Sequence, residues 1–264
     1  RRREVIYLLR QWPGLYQMLP NALYCDARPN WLLFDPTCTG HKPTGFMVVI
    51  PSMLDAVLAA ELAWAPAGEQ VALRYRRAEL HARHLDDRPG AVELLEEVVA
   101  AQPGHADGRE LLEEQLGDPA LQQRVARILE PLYLRDKLWK DLTGVLRIQA
   151  SAAVGVEAAQ LLGRVAGIEE RELDLGRAAF DTWAQALAAD PASTAPPEAI
   201  LRLAATYDRW HDAASAFDAA ATAAAGDLAV AVPLRQHVAE ISDRSLGDNP
   251  RAIAAYQALM SSGE

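Results

Sequence analysis

The stretch WKDLTGVLRIQASAAVGVEAAQLLGRVAGIEERELDLGRAAFDTWAQALAADP, residues 139–191, recurs within its own chain. Residues 51–103 lie on it without a gap at an offset of 88, with about fifteen of some fifty positions identical. The part IEERELDLGRAAFDTWAQAL meets ISDRSLGDNPRAIAAYQALM at an offset of 73. The two offsets differ by 15 residues, about one short helix with its turn, so the spacing predicts an additional helix between the first two copies.

The residues around these copies read as helix throughout. Half of the chain is apolar but only 6% is aromatic, with alanine carrying the excess, and alanine is the best helix former. Apolar residues three and four apart, punctuated by Pro, Gly and Asp, predict helices over about 53–64, 69–85, 91–102, 105–116, 119–133 and 138–150. Further helices are predicted over about 156–173, 177–189, 197–208, 210–224, 228–246 and 251–261. Asp118 followed by Pro119 reads as an N-cap with proline in the first turn. Connections of two to six residues force antiparallel pairing. The expectation is an all-α fold, an α-solenoid of helical hairpins over 51–264 with no strand in that part. The array would open near Pro51 on the second helix of a pair, leaving an apolar end that needs a cap.

Residues 1–50 differ in kind. They hold six basic and three acidic residues, against 20 and 33 in residues 51–264. Their Pro, Gly, Asn and Asp content predicts a mostly irregular segment with two short helical pieces, set apart from the array. The acidic repeat region argues against nucleic acid as a partner. No run reaches the roughly 18 apolar residues of a membrane helix, which excludes membrane insertion by that route. Two cysteines, Cys25 and Cys38, leave the redox compartment open. The chain opens RRREV with no starting Met and no signal peptide, so it reads as a piece of something longer; the cytoplasm is favoured over export, although a leader could lie upstream.

In the first copy Tyr75, Ala78, Ala91, Leu95 and Pro103 fall at recurring places. Ala166, Gly167, Ala179, Trp183, Ala186 and Pro191 do so in the second, and Ala239, Ala252 and Tyr256 in the third. This arrangement resembles the tetratricopeptide repeat, of the bacterial multi-repeat type, over residues 51–264. The resemblance implies a scaffold that binds a peptide or helix on a concave face lined by the first helix of each pair. The run Trp12-Pro13-Gly14-Leu15-Tyr16-Gln17-Met18-Leu19-Pro20 resembles a segment of lipase and acyltransferase-like α/β-hydrolases. No G-x-S-x-G elbow occurs, so no serine nucleophile is carried over.

On the first helices of the three copies, Arg76, Arg164 and His237 fall at one position and Arg83, Arg171 and Arg244 at another, seven residues on. Seven residues are two turns, so both positions share a face. By the resemblance this stripe meets ligands, and guanidinium groups suit the carboxylates of an acidic peptide or C-terminus. The competing reading places Arg83, Arg171 and Arg244 at helix ends, favoured by the dipole and paired with Asp86, Asp174 and Asp248.

Other constellations read as structural. Asp35 and His41 lack a nucleophile, so they read as polar surface. Cys25, Cys38 and His41 offer a C-x12-C-x2-H spacing in which only Cys38 and His41 are close enough for a zinc knuckle, so two ordinary thiols are expected. His81 and His84 lack a third convergent ligand and read as helix-surface histidines. Glu96-Glu97, Glu113-Glu114 and Glu169-Glu170 read as solvated faces, and Trp64, Trp139, Trp183 and Trp210 as packing between helices. No catalytic residue, cofactor or metal is expected. The leading function is a non-catalytic protein-binding scaffold, its partner and oligomeric state left open. The alternative is a targeting module attached to a lipase-like hydrolase whose catalytic part lies upstream. A third possibility is that the two segments were joined by a gene-model error.

Overall fold

Wherever apolar residues recur at three and four positions the backbone is helical, and wherever Asp, Gly or Pro interrupts that pattern it turns. The computed structural model describes residues 51–261 and three short strands that precede them. Among the described residues there are twelve α-helices and one π-helical stretch. They are α1 (Pro51–Trp64), α2 (Ala67–His84), α3 (Arg88–Ala101), α4 (Ala106–Gln115), α5 (Gln122–Asp136) and α6 (Trp139–Ala152). Then come α7 (Gly155–Arg171), α8 (Gly176–Ala189), α9 (Ala195–Tyr207), α10 (Trp210–Ala223), α11 (Leu228–Glu240), the π-helix Ile241–Leu246 and α12 (Asn249–Ser261). The helical part is all-α, an α-solenoid in which helices pack on their chain neighbours. Short turns send each helix back along the one before it.

The three strands are β1 (Leu23–Tyr24), β2 (Leu33–Phe34) and β3 (Phe46–Met47). They form one antiparallel sheet in the order β1-β3-β2, with Met47 opposite both Leu23 and Leu33. The sequence predicts a mostly irregular segment here. The expectations on Trp12–Pro20, Cys25, Asp35, Cys38 and His41 lie outside the described residues.

The chain forms two compact units, residues 1–111 and 112–264, with the boundary inside α4. In the first, Leu58, Leu73 and Leu80 form a small core closed by Leu54, Leu62 and Leu85. In the second, a larger core runs through Phe180, Leu187, Ile200, Leu203, Phe217 and Leu234.

The repeat is legible in the structure residue by residue. The bounds of α1 and α3 fall on those of α6 and α8 at the offset of 88. The starts of α7 and α8 fall on those of α11 and α12 at the offset of 73. The turn after the first helix of each pair is also the same. Asp86, Asp174 and Gly247 adopt φ of 52°, 54° and 64°. The next amide donates back six residues in each case: Asp87 to His81, Leu175 to Glu169 and Asp248 to Ser242. This is the Schellman closure, which satisfies helix-end carbonyls at the cost of one left-handed residue.

Two helices, α4 and α5, separate the first copy from the second, while α9 alone separates the second from the third. The extra helix inferred from the offsets is therefore present. The boundary between the compact units falls within α4, the shortest helix.

Several local expectations are corrected. Asp118 is not the cap of a helix starting at 119. Its carboxylate accepts from the Ala120 amide at 3.0 Å and its carbonyl from Leu121 and Gln122, a closed turn that delays α5 to Gln122. The helix expected over 228–246 becomes π-helical from Ile241. Trp64 is 87% exposed rather than packed between helices, whereas Trp139, Trp183 and Trp210 are partly buried.

Candidate functional site

In the second unit, helices two apart in the chain touch through ion pairs and hydrogen bonds. Glu130 of α5 accepts from Arg164 of α7 at 2.6 Å and from Gln149 of α6 at 2.7 Å. Glu170 at the end of α7 is gripped by both arms of the Arg202 guanidinium on α9, one of them at 2.9 Å. On the other layer, Arg147 of α6 reaches Thr182 of α8 at 2.9 Å. Arg209, ahead of α10, reaches Asp181 of α8 at 2.7 Å and lies 4.2 Å from the centre of the Phe180 ring. Contacts between helices two apart define a two-layer stack, with α5, α7 and α9 in one layer and α6, α8 and α10 in the other.

The six sequence-predicted site residues fall into three groups. Arg83 and Arg164 have carboxylate partners: Arg83 lies 3.4 Å from Glu79, and Arg164 pairs with Glu130. His237 is partly buried, its ring 5.0 Å from that of Phe217. Burial disfavours its cationic form and lowers its pKa, so it does not continue a line of positive charge. Arg76, Arg171 and Arg244 are exposed and make no ion pair among the described residues. Arg171 folds back so that its Nε donates to the Gly167 carbonyl at 3.1 Å. The expected partners Asp86 and Asp174 instead form the left-handed turns described above. Asp248 accepts from the Arg251 amide at 3.2 Å, at the start of α12.

Three charged groups expected at the surface lie inside. His81 places Nδ1 2.7 Å from Asp87 and Nε2 3.0 Å from Asp55, the second a contact without hydrogen-bond alignment. Burial alone would raise the Asp55 pKa, but Arg77 at 2.7 Å and His81 together hold it below its ordinary value. The Gly90 amide and His81 do the same for Asp87. In the second copy the equivalent of His81 is Glu169, buried, accepting from Arg147 at 2.6 Å and from the Thr182 hydroxyl at 2.7 Å. In the third it is Ser242, fully buried, with its hydroxyl unpartnered. One position per copy is thus polar and wholly or partly buried, and the offset aligns the three residues without showing their burial. Glu170 is likewise held rather than solvated; the Arg202 hydrogen bonds outweigh burial and lower its pKa. Glu97 pairs with Arg74 at 2.6 Å, and Glu113 accepts from the Tyr133 hydroxyl at 3.0 Å.

Among the described residues, no group of three or more His, Cys, Asp or Glu could hold a metal ion. The Arg77 guanidinium occupies the approach to Asp55 beside His81. No helix among the described residues is long and apolar enough to cross a membrane. No protein-family model matches the chain, and no curated protein matches it significantly.

Proposed function

We propose that this protein is a tetratricopeptide-like scaffold that binds an acidic peptide or helix through the first helices of its pairs. The observation that carries this reading is the division of the cations on those helices. Arg83 and Arg164 are held in surface ion pairs, whereas Arg76, Arg171 and Arg244, also exposed, make no ion pair among the described residues. Solvated guanidinium groups recurring on equivalent helices offer forked donors to carboxylates at little desolvation cost. The remainder of the architecture supports a passive role, since its buried polar groups tie helix to helix.

The test is affinity capture from the source cell's lysate with the chain and with an Arg76→Glu, Arg171→Glu, Arg244→Glu variant. An Arg83→Glu, Arg164→Glu variant serves as the control. Loss of a partner only with the first variant supports the reading. Equal capture by all three proteins would move the contact off these helices.

A further inference from the structure

The Arg171 side chain lies across Gly167, one turn back along α7. A Cβ at Gly167 would meet the guanidinium, with Nη2 at 2.8 Å, Cζ at 3.7 Å and Nε at 3.9 Å. The group therefore rests on the bare backbone of that glycine, and its Nε donates to the Gly167 carbonyl at 3.1 Å. One hydrogen bond and one close approach fix the fork, while the residue as a whole stays exposed. Nη1 and Nη2 make no hydrogen bond or ion pair among the described residues.

The repeat shows that this seat belongs to the second copy alone. Gly167 corresponds to Glu79 at the offset of 88 and to Glu240 at the offset of 73. Each glutamate stands four residues before the arginine equivalent to Arg171, a spacing at which the two can pair on a helix. Glu79 does pair with Arg83, at 3.4 Å. In the second copy glycine removes that carboxylate. The adjacent Glu170 is already gripped by Arg202, and Arg164 on the same face is held by Glu130. Of the two arginines of α7, Arg171 is thus the one whose charge no carboxylate answers among the described residues.

We propose that Arg171, seated on Gly167, is the anchor of the ligand site and takes a carboxylate of the partner through Nη1 and Nη2, with Arg76 and Arg244 making weaker contacts. This rests on the acidic-ligand reading above. A guanidinium that is already fixed loses little side-chain freedom on binding, whereas a solvated one must first be ordered. Its planar fork matches the two oxygens of a carboxylate. Gly167 is a positioning residue, since a side chain there would lift the fork from its seat.

The probe is an amidated glutamate-rich peptide with an uncharged fluorophore, titrated against the whole chain by anisotropy. A glutamine-rich peptide with a free C-terminus runs beside it, so that side-chain and terminal carboxylates are told apart. Saturable, salt-sensitive binding of one probe or both is expected. Arg171→Gln should weaken it about tenfold, and Arg76→Gln or Arg244→Gln by about threefold at most. Gly167→Ala should weaken it about fivefold with every charge intact. The atoms nearest a Cβ there are the movable end of Arg171, and alanine favours helix, so this variant should melt no lower than the parent. A glycine with a merely structural role would not separate binding from stability in this way. Equal losses at the three arginines, or parental binding by Gly167→Ala, would overturn the anchor. The scaffold reading would survive that result provided Arg76→Gln, Arg171→Gln and Arg244→Gln together still abolish binding. Binding that persists in this triple variant, or no saturable binding of either probe, would overturn both.

Discussion

Leu175 stands where Asp87 stands in the first copy, at the N-cap of the equivalent helix, and it offers α8 no side-chain acceptor. Asp87 accepts from the Gly90 amide at 3.0 Å, and Asp248 does the same for Arg251 at 3.2 Å in the third copy. Leu175 makes no such bond and is half exposed.

Leu175→Asp should therefore stabilise the protein by about 1 kcal/mol, the usual worth of an N-cap. The backbone is already suited to it, since the preceding Asp174 adopts the left-handed turn of Asp86. Asp87→Ala should destabilise by about the same amount or more, because it also strips a carboxylate from His81. Urea denaturation of the three proteins measures both. An unchanged midpoint for Leu175→Asp would show that the first turn of α8 is satisfied by other means.

Gly176→Ala should be strongly destabilising. A Cβ there would lie 2.1 Å from the Tyr207 hydroxyl and 2.7 Å from its ring. Overpacking of this kind costs about 1–3 kcal/mol. Tyr207→Leu in the same chain should recover part of the loss, and a double-mutant cycle on thermal midpoints gives the coupling. Additive losses would mean that the ring moves aside freely.

Arg147→Met should cost about 2 kcal/mol by leaving the buried Glu169 with the Thr182 hydroxyl alone. The loss falls short of the full penalty for an orphaned buried charge, because Arg147 itself is 41% exposed. Arg147→Met with Glu169→Gln should lose less than Arg147→Met alone. Guanidinium denaturation separates these outcomes, and a larger loss in the double variant would contradict the pairing.

Acid should weaken the protein in two stages. For His237, burial lowers the folded pKa below the ordinary 6.5, so the unfolded chain takes up its proton first. That contribution is present above about pH 6.5 and is lost as pH falls through the depressed value. Asp55 and Asp87 are also depressed in the folded state, so their contribution is present above about pH 4 and disappears at lower pH. Thermal midpoints between pH 8 and pH 3 should fall in both ranges. His237→Gln should flatten the upper one and Asp55→Asn the lower. A midpoint that rises on acidification through either range would contradict the assignment.

The positions of the helices were legible in the sequence because they follow from local rules. Apolar periodicity and turn residues act over a few positions, so the predicted ends lie within about three residues of those observed, apart from the π-helical stretch. The gapless recurrence also disclosed the copies and the extra helix between the first two. Polar burial was not legible from single residue types. His81, Glu169 and Glu170 look like surface residues by composition, yet each is enclosed by groups from other helices. The arginines show the same limit: Arg76 and Arg164 occupy one repeat position, but Glu130 on the helix two before α7 gives only Arg164 a partner. Sequence alone determined the helices, their order and their repetition, since those depend on neighbours along the chain. Which cations remain open and which carboxylates are enclosed were decided by tertiary structure, because they depend on side chains that meet only once the layers have stacked.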